Sequence, residues 1–311
     1  MNVIGFIGIG NMGAPMAANI ARAGFAVRVF DADRARAAAF VAGLDPLVAA
    51  QTRAASSLAE LAAACQVVIT MLPTGDIVRD VLLTDEDGAL AAGLAPGSLV
   101  IDMSSSDPTG TRALGARLRE RGITLLDAPV SGLVPRARTG TLTIMLGGDD
   151  EAALARAEPV LRAMGERVFR VGPLGCGHAM KALNNVVAAT AFTVTAEALI
   201  VGQRFGLDPA VMNEVLKVSS GRTFHADTSF PDQVLTRRFA SGFTLGLLAK
   251  DVGIAGGLAD DIGAQTPVMQ LVRRLWAEGR DELGPGEDNS AIVRRWERIN
   301  GVTLQPQRKG D

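Results

Sequence analysis

The sequence of 311 residues predicts an α/β fold, with a doubly wound, mostly parallel sheet followed by an all-helical C-terminal domain. Short apolar runs alternate with Ala- and Arg-rich helical segments as far as about residue 172. Such alternation builds a parallel sheet with helices on both faces. Beyond that point the strand-like runs stop, and a long apolar helix over about 177–203 leads into further helical segments.

Each element has its own local signal. Apolar runs predict strands over 2–7, 26–30, 67–72, 99–101, 124–126, 141–146 and 168–171. Helical spacing over 11–23 makes the first two of these strands a βαβ unit. Asp107-Pro108 and Asp208-Pro209 place a cap acceptor before a first-turn proline, and Ser57 with Glu60 forms a capping box. In the second part, helices are predicted over 209–218, 243–259, 267–278 and 290–299.

The two parts meet at a glycine- and proline-rich break containing Pro173, Gly175 and Gly177. We therefore expect domains over residues 1–172 and 173–311, joined through the long helix. The tail from about Gln305 is expected to be disordered.

The composition is that of an ordinary soluble protein, with 48% apolar and 21% charged residues and a net charge of -2. Neither a nucleic-acid groove nor an anionic membrane surface is indicated. Two cysteines and two histidines are too few for a typical zinc site, so no metal is expected. The absence of a signal-peptide pattern and the unpaired cysteines favour the cytoplasm. The apolar run 186–201 is too short for a membrane span and is expected to be a buried helix.

A dinucleotide fingerprint, Gly8-Ile9-Gly10-Asn11-Met12-Gly13, directly follows the first strand and opens the first helix. In this context Gly8 permits a tight turn, Gly10 lets the backbone approach a pyrophosphate and Gly13 lets helix and strand pack closely. The helix N-terminus attracts phosphates. The segment predicts a Rossmann-type cofactor domain, the alternative being a glycine-rich turn without a ligand.

An acidic residue, Asp31, ends the second strand about twenty residues after the glycines. There it accepts hydrogen bonds from the adenosine ribose and repels a 2′-phosphate. No arginine stands directly beside it in the sequence, although Arg34 and Arg36 begin the next helix. The residue favours NAD over NADP, unless it merely caps that helix.

Further motifs follow in order along nearly the whole chain. They are Gly8-x-Gly10-x-Met12-Gly13-x-Pro15-Met16-Ala17-x-Asn19, Met71-Leu72-Pro73, Asp102-Met103-Ser104-Ser105, Asp127-Ala128-Pro129-Val130-Ser131-Gly132, Gly175-x-Gly177-x-x-x-Lys181-x-x-Asn184-Asn185 and Lys250-Asp251. In this series the chain resembles the β-hydroxyacid dehydrogenase family, which includes 3-hydroxyisobutyrate dehydrogenase and tartronate semialdehyde reductase.

The resemblance implies a role for each matching position. Cofactor contacts are implied for Gly8, Gly10, Asn11, Met12, Gly13, Asp31, Leu72, Pro73, Ser105 and Lys250, substrate contacts for Ser131, Gly132 and Asn185, and proton transfer for Lys181. It also implies a homodimer or homotetramer. Alternatives stay open: Ser104–Ser106 could cap a helix, and Lys250-Asp251 could be an exposed ion pair of little energy.

One departure concerns the residues after Ser131-Gly132. The family continues with another glycine and small residues, whereas this chain has Leu133-Val134-Pro135-Arg136. Leu133 adds bulk and Pro135 removes an N–H. We expect the carboxylate contacts of Ser131 to persist, while the identity of the acid stays open.

Lysine is rare in this chain: four of the 31 basic residues are lysine, and Lys181 is the first of them. Unlike arginine, a desolvated lysine can exchange a proton, although a lysine at this position could also simply extend to water. Asn185 lies four residues later and shares its helix face. Burial and a cationic nicotinamide would both favour the neutral amine that a general base requires.

His178 is the rival base, since it lies three residues before Lys181. Its position in the first helical turn disfavours a protonated ring, so a packing or capping role is favoured. Neither His225 nor Cys176 has an identifiable partner in the sequence.

The sequence thus predicts an NAD-dependent dehydrogenase for a small β-hydroxy acid. The alternatives are an NADPH-dependent reductase of small aldehydes or imines, and a non-catalytic dinucleotide-binding protein. Asp31 and Lys181 argue against the NADPH-dependent reductase. The presence of Lys181 also argues against the non-catalytic dinucleotide-binding protein.

Overall fold

A computed structural model describes residues 3–83 and 90–306 of the chain. The chain divides into two compact units, Met1–Lys181 and Ala182–Asp311. The boundary expected at residue 172 lies at the end of the last strand, whereas the first unit also includes the first turns of the long helix. Lys181 is therefore the last residue of the first unit.

The first unit contains one sheet. Its strands are β1 Ile4–Ile7, β2 Val27–Phe30, β3 Thr52–Ala54, β4 Val67–Thr70, β5 Leu99–Asp102, β6 Thr124–Asp127, β7 Val130–Ser131, β8 Leu142–Gly147 and β9 Gly165–Gly172. Their order is β3-β2-β1-β4-β5-β6-β8-β7, with β9 paired to β8. Strands β1 to β6 pair in parallel, and β8 pairs antiparallel with β6 and β7. The predicted doubly wound, mostly parallel sheet is confirmed.

Two strands carry no sequence signal. Strand β3 has three residues, of which only Thr52 is buried, and β7 has two residues. Such short segments cannot show the alternation that identifies a strand. Pairing with β2 and with β8 makes them strands.

Helices cover both faces of the sheet. In the first unit they are α1 Gly13–Arg22, α2 Arg34–Ala42, α3 Pro46–Ala49, α4 Leu58–Ala64, α5 Gly75–Leu83, α6 Leu90–Gly93, α7 Pro108–Arg119, α8 Leu133–Thr139 and α9 Glu151–Arg162. The predicted caps are confirmed, since Ser57 accepts from the N–H of Glu60 and Asp107 from that of Gly110. The capping box does not close at Ser57, because Glu60 accepts from the N–H of Ser56 instead.

Alternate residues of each strand enter two different cores. Ile4 and Phe6 of β1 belong to one buried cluster, and Ile7 belongs to the other. Side chains alternate across a strand, so the two clusters lie on opposite faces of the sheet. This double burial explains why the strands are continuous apolar runs.

The long helix α10, Cys176–Phe205, is one continuous helix as predicted. By length and composition α10 could cross a membrane, but the core helices of soluble proteins can be equally long and apolar. Of the most apolar stretch of α10, 56% is buried inside the protein. Ala189, Phe192 and Ala196 are completely buried in the core of the second unit.

Over residues 182–306 the second unit consists of helices joined by loops, with one isolated β-bridge between Thr244 and Asp288. Its other helices are α11 Pro209–Val218, α12 Phe224–Asp227, α13 Leu245–Asp261, α14 Pro267–Leu283 and α15 Val293–Asn300, with a π-helix over Phe230–Val234 and a 3₁₀ helix over Asn289–Ile292. The segment 224–234 was not predicted to be helical, because π and single-turn helices lack a full apolar period.

Candidate active site

The glycine-rich turn between β1 and α1 requires glycine at two positions. Gly8 has φ +97°, a conformation that side chains rarely adopt, and a Cβ there would meet the carbonyl of Met71. A Cβ on Gly13 would meet the carbonyl oxygen of Gly8. The turn therefore depends on both residues, as the fingerprint predicts.

Gly10 shows the opposite environment, because a Cβ there would meet no atom within 4 Å. Gly10 and Asn11 are exposed, and α1 begins two residues later with its N-terminus at the turn. An open backbone before a helix N-terminus is suited to a pyrophosphate. The residues therefore fit a bound dinucleotide.

Asp31 braces this turn. Its Oδ2 accepts the N–H of Ile9 at 2.8 Å, and its Oδ1 accepts the N–H of Asp33 at 2.9 Å. It does not cap α2, because the cap is Asp33, which accepts from the N–H of Arg36. The capping alternative for Asp31 is wrong.

Arg36 corrects another expectation. Its Nη1 lies 3.1 Å from Asp31 Oδ1, so an arginine does stand beside this carboxylate. The side chain of Arg36 is 52% exposed and that of Asp31 is 8% exposed. The positive charge weakens the repulsion of a 2′-phosphate on which the preference for NAD was argued. Helical geometry brought the pair together, since α2 turns Arg36 back over the end of β2.

Asp102, at the carboxyl end of β5, organises the segments expected to contact the cofactor. Its Oδ1 accepts from Thr70 Oγ1 at 2.8 Å and from the N–H of Ser104 at 3.0 Å. Its Oδ2 accepts from Ser106 Oγ at 2.8 Å. Ser104 Oγ in turn accepts the N–H of Leu72 at 2.9 Å. The segments around Leu72 and Ser105 thus share one buried anchor.

The serines of this segment do not cap the following helix, because the cap of α7 is Asp107. Ser104 and Ser106 are buried and bond to Asp102 or Leu72, whereas Ser105 between them is half-buried. The alternative of a capping role is wrong for these residues.

Ser131 lies in β7, in register with Thr143 of β8. Gly132 follows with φ +139°, and Leu133 begins α8 with φ 57°. A positive φ is costly for leucine, by about 1–2 kcal/mol. The departure noted at Leu133 is therefore also a strained backbone position, and its side chain is 42% exposed.

The first turn of α10 is bonded to Asp127 at the end of β6. The N–H of His178 donates to Asp127 Oδ2 at 2.7 Å, and the N–H of Gly175 donates to Oδ1 at 2.8 Å. His178 is 1% exposed, and its Nδ1 lies 2.8 Å from Thr111 Oγ1. Lys181, one turn further along, is half-buried.

The second unit holds another cluster of predicted residues. Asn185 Nδ2 donates to Asp251 Oδ2 at 2.6 Å, and Lys250 Nζ lies 3.2 Å from Asp251 Oδ1. The carboxylate is 4% exposed, so Lys250-Asp251 is not the exposed ion pair of the alternative reading. Asp251 fixes the orientation of the Asn185 amide.

The predicted residues divide between the two units. The glycine turn, Asp31, Leu72, Ser105, Ser131 and Lys181 belong to the first unit, and Asn185 and Lys250 to the second. Three carboxylates were not assigned roles from the sequence: Asp102, Asp127 and Asp251. A signal did exist, because the first two follow apolar runs that form neighbouring strands.

Cys65 is a buried cysteine of the first unit. Burial raises the pKa of the Cys65 thiol to about 11, which makes it a poor nucleophile at neutral pH. Both cysteines are free. In the part of the chain that the structure describes, no group of three His, Cys, Asp or Glu side chains could hold a metal ion.

Comparison with known proteins gives matches over nearly the full length. The profile of the NAD binding domain of 6-phosphogluconate dehydrogenase matches residues 3–172. The profile described as NAD-binding of NADP-dependent 3-hydroxyisobutyrate dehydrogenase matches residues 175–296. The chain belongs to the β-hydroxyacid dehydrogenase family.

Individual relatives are similar to this chain over most of its length. The chain is 40% identical to an NAD-dependent L-serine dehydrogenase of Pseudomonas aeruginosa over 282 residues, 89% of this chain and 91% of that protein. It is 33% identical to a 3-sulfolactaldehyde reductase of Escherichia coli over 305 residues, 98% of this chain and 99% of that protein. The solved 3-hydroxyisobutyrate dehydrogenase of Mycobacterium tuberculosis with L-serine has a TM-score of 0.83 at 34% identity, covering 95% of this chain and 99% of that one.

This β-hydroxyacid dehydrogenase is an oxidoreductase that acts on CH–OH groups with NAD as its cofactor. The expectation of an enzyme, against a non-catalytic dinucleotide-binding protein, is confirmed.

Proposed function

We propose that the protein oxidises a small β-hydroxy carboxylate, with Lys181 as the general acid/base. The observation that carries the proposal is the pairing of Lys181 and Asn185 on α10, four residues apart on one face, with the amide of Asn185 held by Asp251. L-serine and 3-hydroxyisobutyrate, the compounds in two relatives' names, both carry a hydroxyl on the carbon β to a carboxylate.

The cofactor residues of the proposal are those of the fingerprint and its surroundings. The backbone of Gly8, Gly10, Asn11, Met12 and Gly13 would hold the pyrophosphate, and Asp31 would accept from the ribose. Leu72, Pro73, Ser105 and Lys250 would contact the nicotinamide half. When bound, NAD supplies the hydride acceptor of the reaction.

The protein's own part in the chemistry is proton transfer and orientation. Lys181 Nζ takes the proton of the substrate hydroxyl as the carbinol carbon loses its hydride, and it returns a proton in the reverse reaction. Asn185 orients the hydroxyl, and Ser131 and Gly132 hold the carboxylate. Fixed donors of this kind place the reacting carbon without reorganisation during the step.

Leu133 would set how much substrate fits beyond the carboxylate. It occupies the position after Gly132 in a left-handed conformation. A leucine there takes up space that glycine would leave open, so the proposal favours acids with a short side chain.

The same site supports a second candidate function, reduction of a small aldehyde acid. The relative named 3-sulfolactaldehyde reductase covers 98% of this chain, and Arg36 beside Asp31 makes NADPH less unfavourable. Both functions use the same residues in opposite directions, so assays in both directions with both cofactors separate them.

The proposal also includes assembly of this chain into a homo-oligomer in the cytoplasm. Val187, Val194 and Val201 are 68%, 57% and 68% exposed, and their spacing of seven residues places them along one side of α10. An apolar stripe of this kind supports a homodimer or homotetramer, which light scattering of the purified protein measures. The two free cysteines agree with a reducing compartment.

The test of Lys181 is its replacement by alanine in turnover assays with L-serine and 3-hydroxyisobutyrate. We expect kcat/KM to fall by about 10²–10⁴ while NAD still binds. Lys217→Ala is the matched control, because Lys217 pairs only locally with Glu214 on α11. Turnover of Lys181→Ala within about tenfold of the unmodified protein would refute the role.

A further inference from the structure

A buried histidine lies between two carboxylates under the first turn of α10. His178 Nε2 is 3.6 Å from Asp102 Oδ2, and Nδ1 is 3.8 Å from Asp127 Oδ2. The three side chains are at most 2% exposed. Asp102 and Asp127 are register partners at the carboxyl ends of β5 and β6. The ring therefore joins α10 to two neighbouring strands.

The hydrogen bonds around the ring determine where its protons lie. Thr111 Oγ1 has one proton, which it donates to the carbonyl of Asp107 at 2.8 Å. The 2.8 Å contact between Thr111 Oγ1 and His178 Nδ1 then requires Nδ1 to be the donor. A ring with a proton on Nδ1 alone would point the bare Nε2 lone pair at the Asp102 carboxylate.

Two acceptors facing each other in a dry site are unfavourable, and Nε2 has no hydrogen-bond partner among the residues that the structure describes. A second proton on Nε2 converts the repulsion into an attraction between an imidazolium and Asp102. Asp127 on the other side favours the same charge. The two carboxylates together outweigh the helix N-terminus, which disfavours a protonated ring with only about half a unit of charge. The neighbouring Arg112 donates from Nε to the carbonyl of Leu174 at 3.0 Å and does not pair with Asp102 or Asp127.

The backbone packs closely around Asp127, with no room for a side chain at two neighbouring glycines. A Cβ on Gly147 would meet Asp127 Oδ1, and a Cβ on Gly177 would meet the carbonyls of Met145 and Asp127. The first turn of α10 thus seats directly on the strand ends. Close backbone packing at Gly147 and Gly177, together with the hydrogen bonds to Asp127, holds this turn at the strand ends.

The cluster extends to the cofactor segments through Asp102. That carboxylate bonds to Ser104 and Ser106, and Ser104 bonds to the N–H of Leu72. The position of Lys181, three residues after His178, is therefore tied to the segments that would contact the nicotinamide. Proton and hydride transfer require this relative placement to within a fraction of an ångström.

We propose that His178 is a positioning residue whose doubly protonated ring, held between Asp102 and Asp127, fixes the first turn of α10 and so places Lys181. The inference rests on the proposed role of Lys181. His178 itself exchanges no proton with the substrate.

The first test reads the ring directly. The chain has two histidines, so a ¹⁵N spectrum of histidine-labelled protein contains two ring systems, and His225→Gln assigns them. The proposal expects both ring nitrogens of His178 to be protonated under the conditions of the turnover assay. A His178 ring with one proton under those conditions would overturn the proposal, whether or not the enzyme is active.

The second test is kinetic, with His178→Gln compared with His225→Gln. For His178→Gln we expect kcat at saturating NAD to fall at least about tenfold, with the Kd of NAD and the KM of the acid each within about threefold. His225→Gln makes the same replacement in the second unit and should leave kcat within about twofold. A fall confined to KM, or an unchanged kcat in folded His178→Gln, would overturn the positioning role.

The two proposals fail in different ways. If Lys181→Ala is inactive while His178→Gln keeps its kcat, only the positioning role is lost. If Lys181→Ala is active, the general acid/base is refuted by that result alone. Should His178→Gln not fold, the labelled spectrum of the unmodified protein still decides the protonation of the ring.

Discussion

The two histidines of this chain are both buried, in opposite surroundings. His178 in the first unit has a carboxylate near each ring nitrogen. His225 in the second unit lies edge-on to Phe192 and Phe224, at ring distances of 5.2 and 5.5 Å, and bonds to Ser229 at 2.8 Å. Burial lowers the pKa of His225 to about 4, so its ring is neutral at pH 7. Burial alone therefore does not decide what a histidine does; its neighbours do.

The difference follows the division of the chain. The ends of parallel strands in the first unit collect polar groups around a helix N-terminus, which is where α/β folds bind ligands. The core of the second unit is aromatic and aliphatic, with Trp276 and Phe192 completely buried. A charged histidine is useful in the first setting and costly in the second.

The largest effect on stability is expected from Asp127→Ala, which removes one of the two carboxylates beside the His178 ring. The substitution also leaves two buried N–H groups without their acceptor, so the free energy of unfolding should fall by about 3–5 kcal/mol. Urea unfolding followed by circular dichroism measures it.

Asp150→Ala is the matched control. Asp150 also accepts two backbone N–H groups, of Ala152 and Ala153, but at the exposed start of α9. We expect about 1 kcal/mol there. Equal losses in the two variants would show that Asp127 is an ordinary helix cap.

The pH dependence of the free energy of unfolding tests whether His225, in the second unit, is neutral at pH 7. The pKa of His225 lies below its ordinary value of 6.5, so the unfolded chain takes up the proton at a higher pH than the folded chain. The free energy of unfolding should therefore fall as the pH drops from 6.5 towards 4, by about 3 kcal/mol in total, and stay unaffected above that range.

Both tryptophans, Trp276 and Trp296, lie in the second unit, so their fluorescence reports its unfolding. His225→Phe should flatten this pH dependence, since no proton is then taken up. An unchanged slope in His225→Phe would contradict the assignment.

The smallest effect distinguishes the hydroxyl partners of the two rings. Thr111→Val removes the bond from His178 and the bond to the Asp107 carbonyl, whereas Ser229→Ala removes the bond to His225. Each lost hydrogen bond should cost about 1 kcal/mol of stability. Turnover should respond only to Thr111→Val, with kcat lower by about threefold to tenfold, because only His178 is proposed to position Lys181. Steady-state kinetics of both variants at saturating NAD checks this, and equal kcat values would remove the distinction.

The sequence predicted the parts of the molecule in which local geometry restricts the residue type. Gly8 and Gly13 are fixed by a positive φ and by a carbonyl in contact, and such constraints leave a recognisable pattern in the sequence. The α/β alternation, the long helix and the caps at Ser57 and Asp107 were predicted for the same reason.

What could not be predicted depends on elements far apart in the chain. The meeting of Asp102, Asp127 and His178 needs the pairing of β5 with β6 and the seating of α10 upon them. The contact between Arg36 and Asp31 depends on how α2 leaves its strand. Neither arrangement has a sequence period, so tertiary structure alone reveals them.

The central claim, oxidation at the β-carbon of a small hydroxy acid, is tested most directly with two isomeric substrates. The measurement is NADH formation by the unmodified protein from 3-hydroxypropionate and from 2-hydroxypropionate, which differ only in the carbon that bears the hydroxyl. The account predicts a kcat/KM at least about tenfold higher for the β-hydroxy isomer, because the proposed carboxylate contacts at Ser131 and the proposed base Lys181 would place only a β-hydroxyl for proton transfer. Turnover of the α-hydroxy isomer alone would contradict the account.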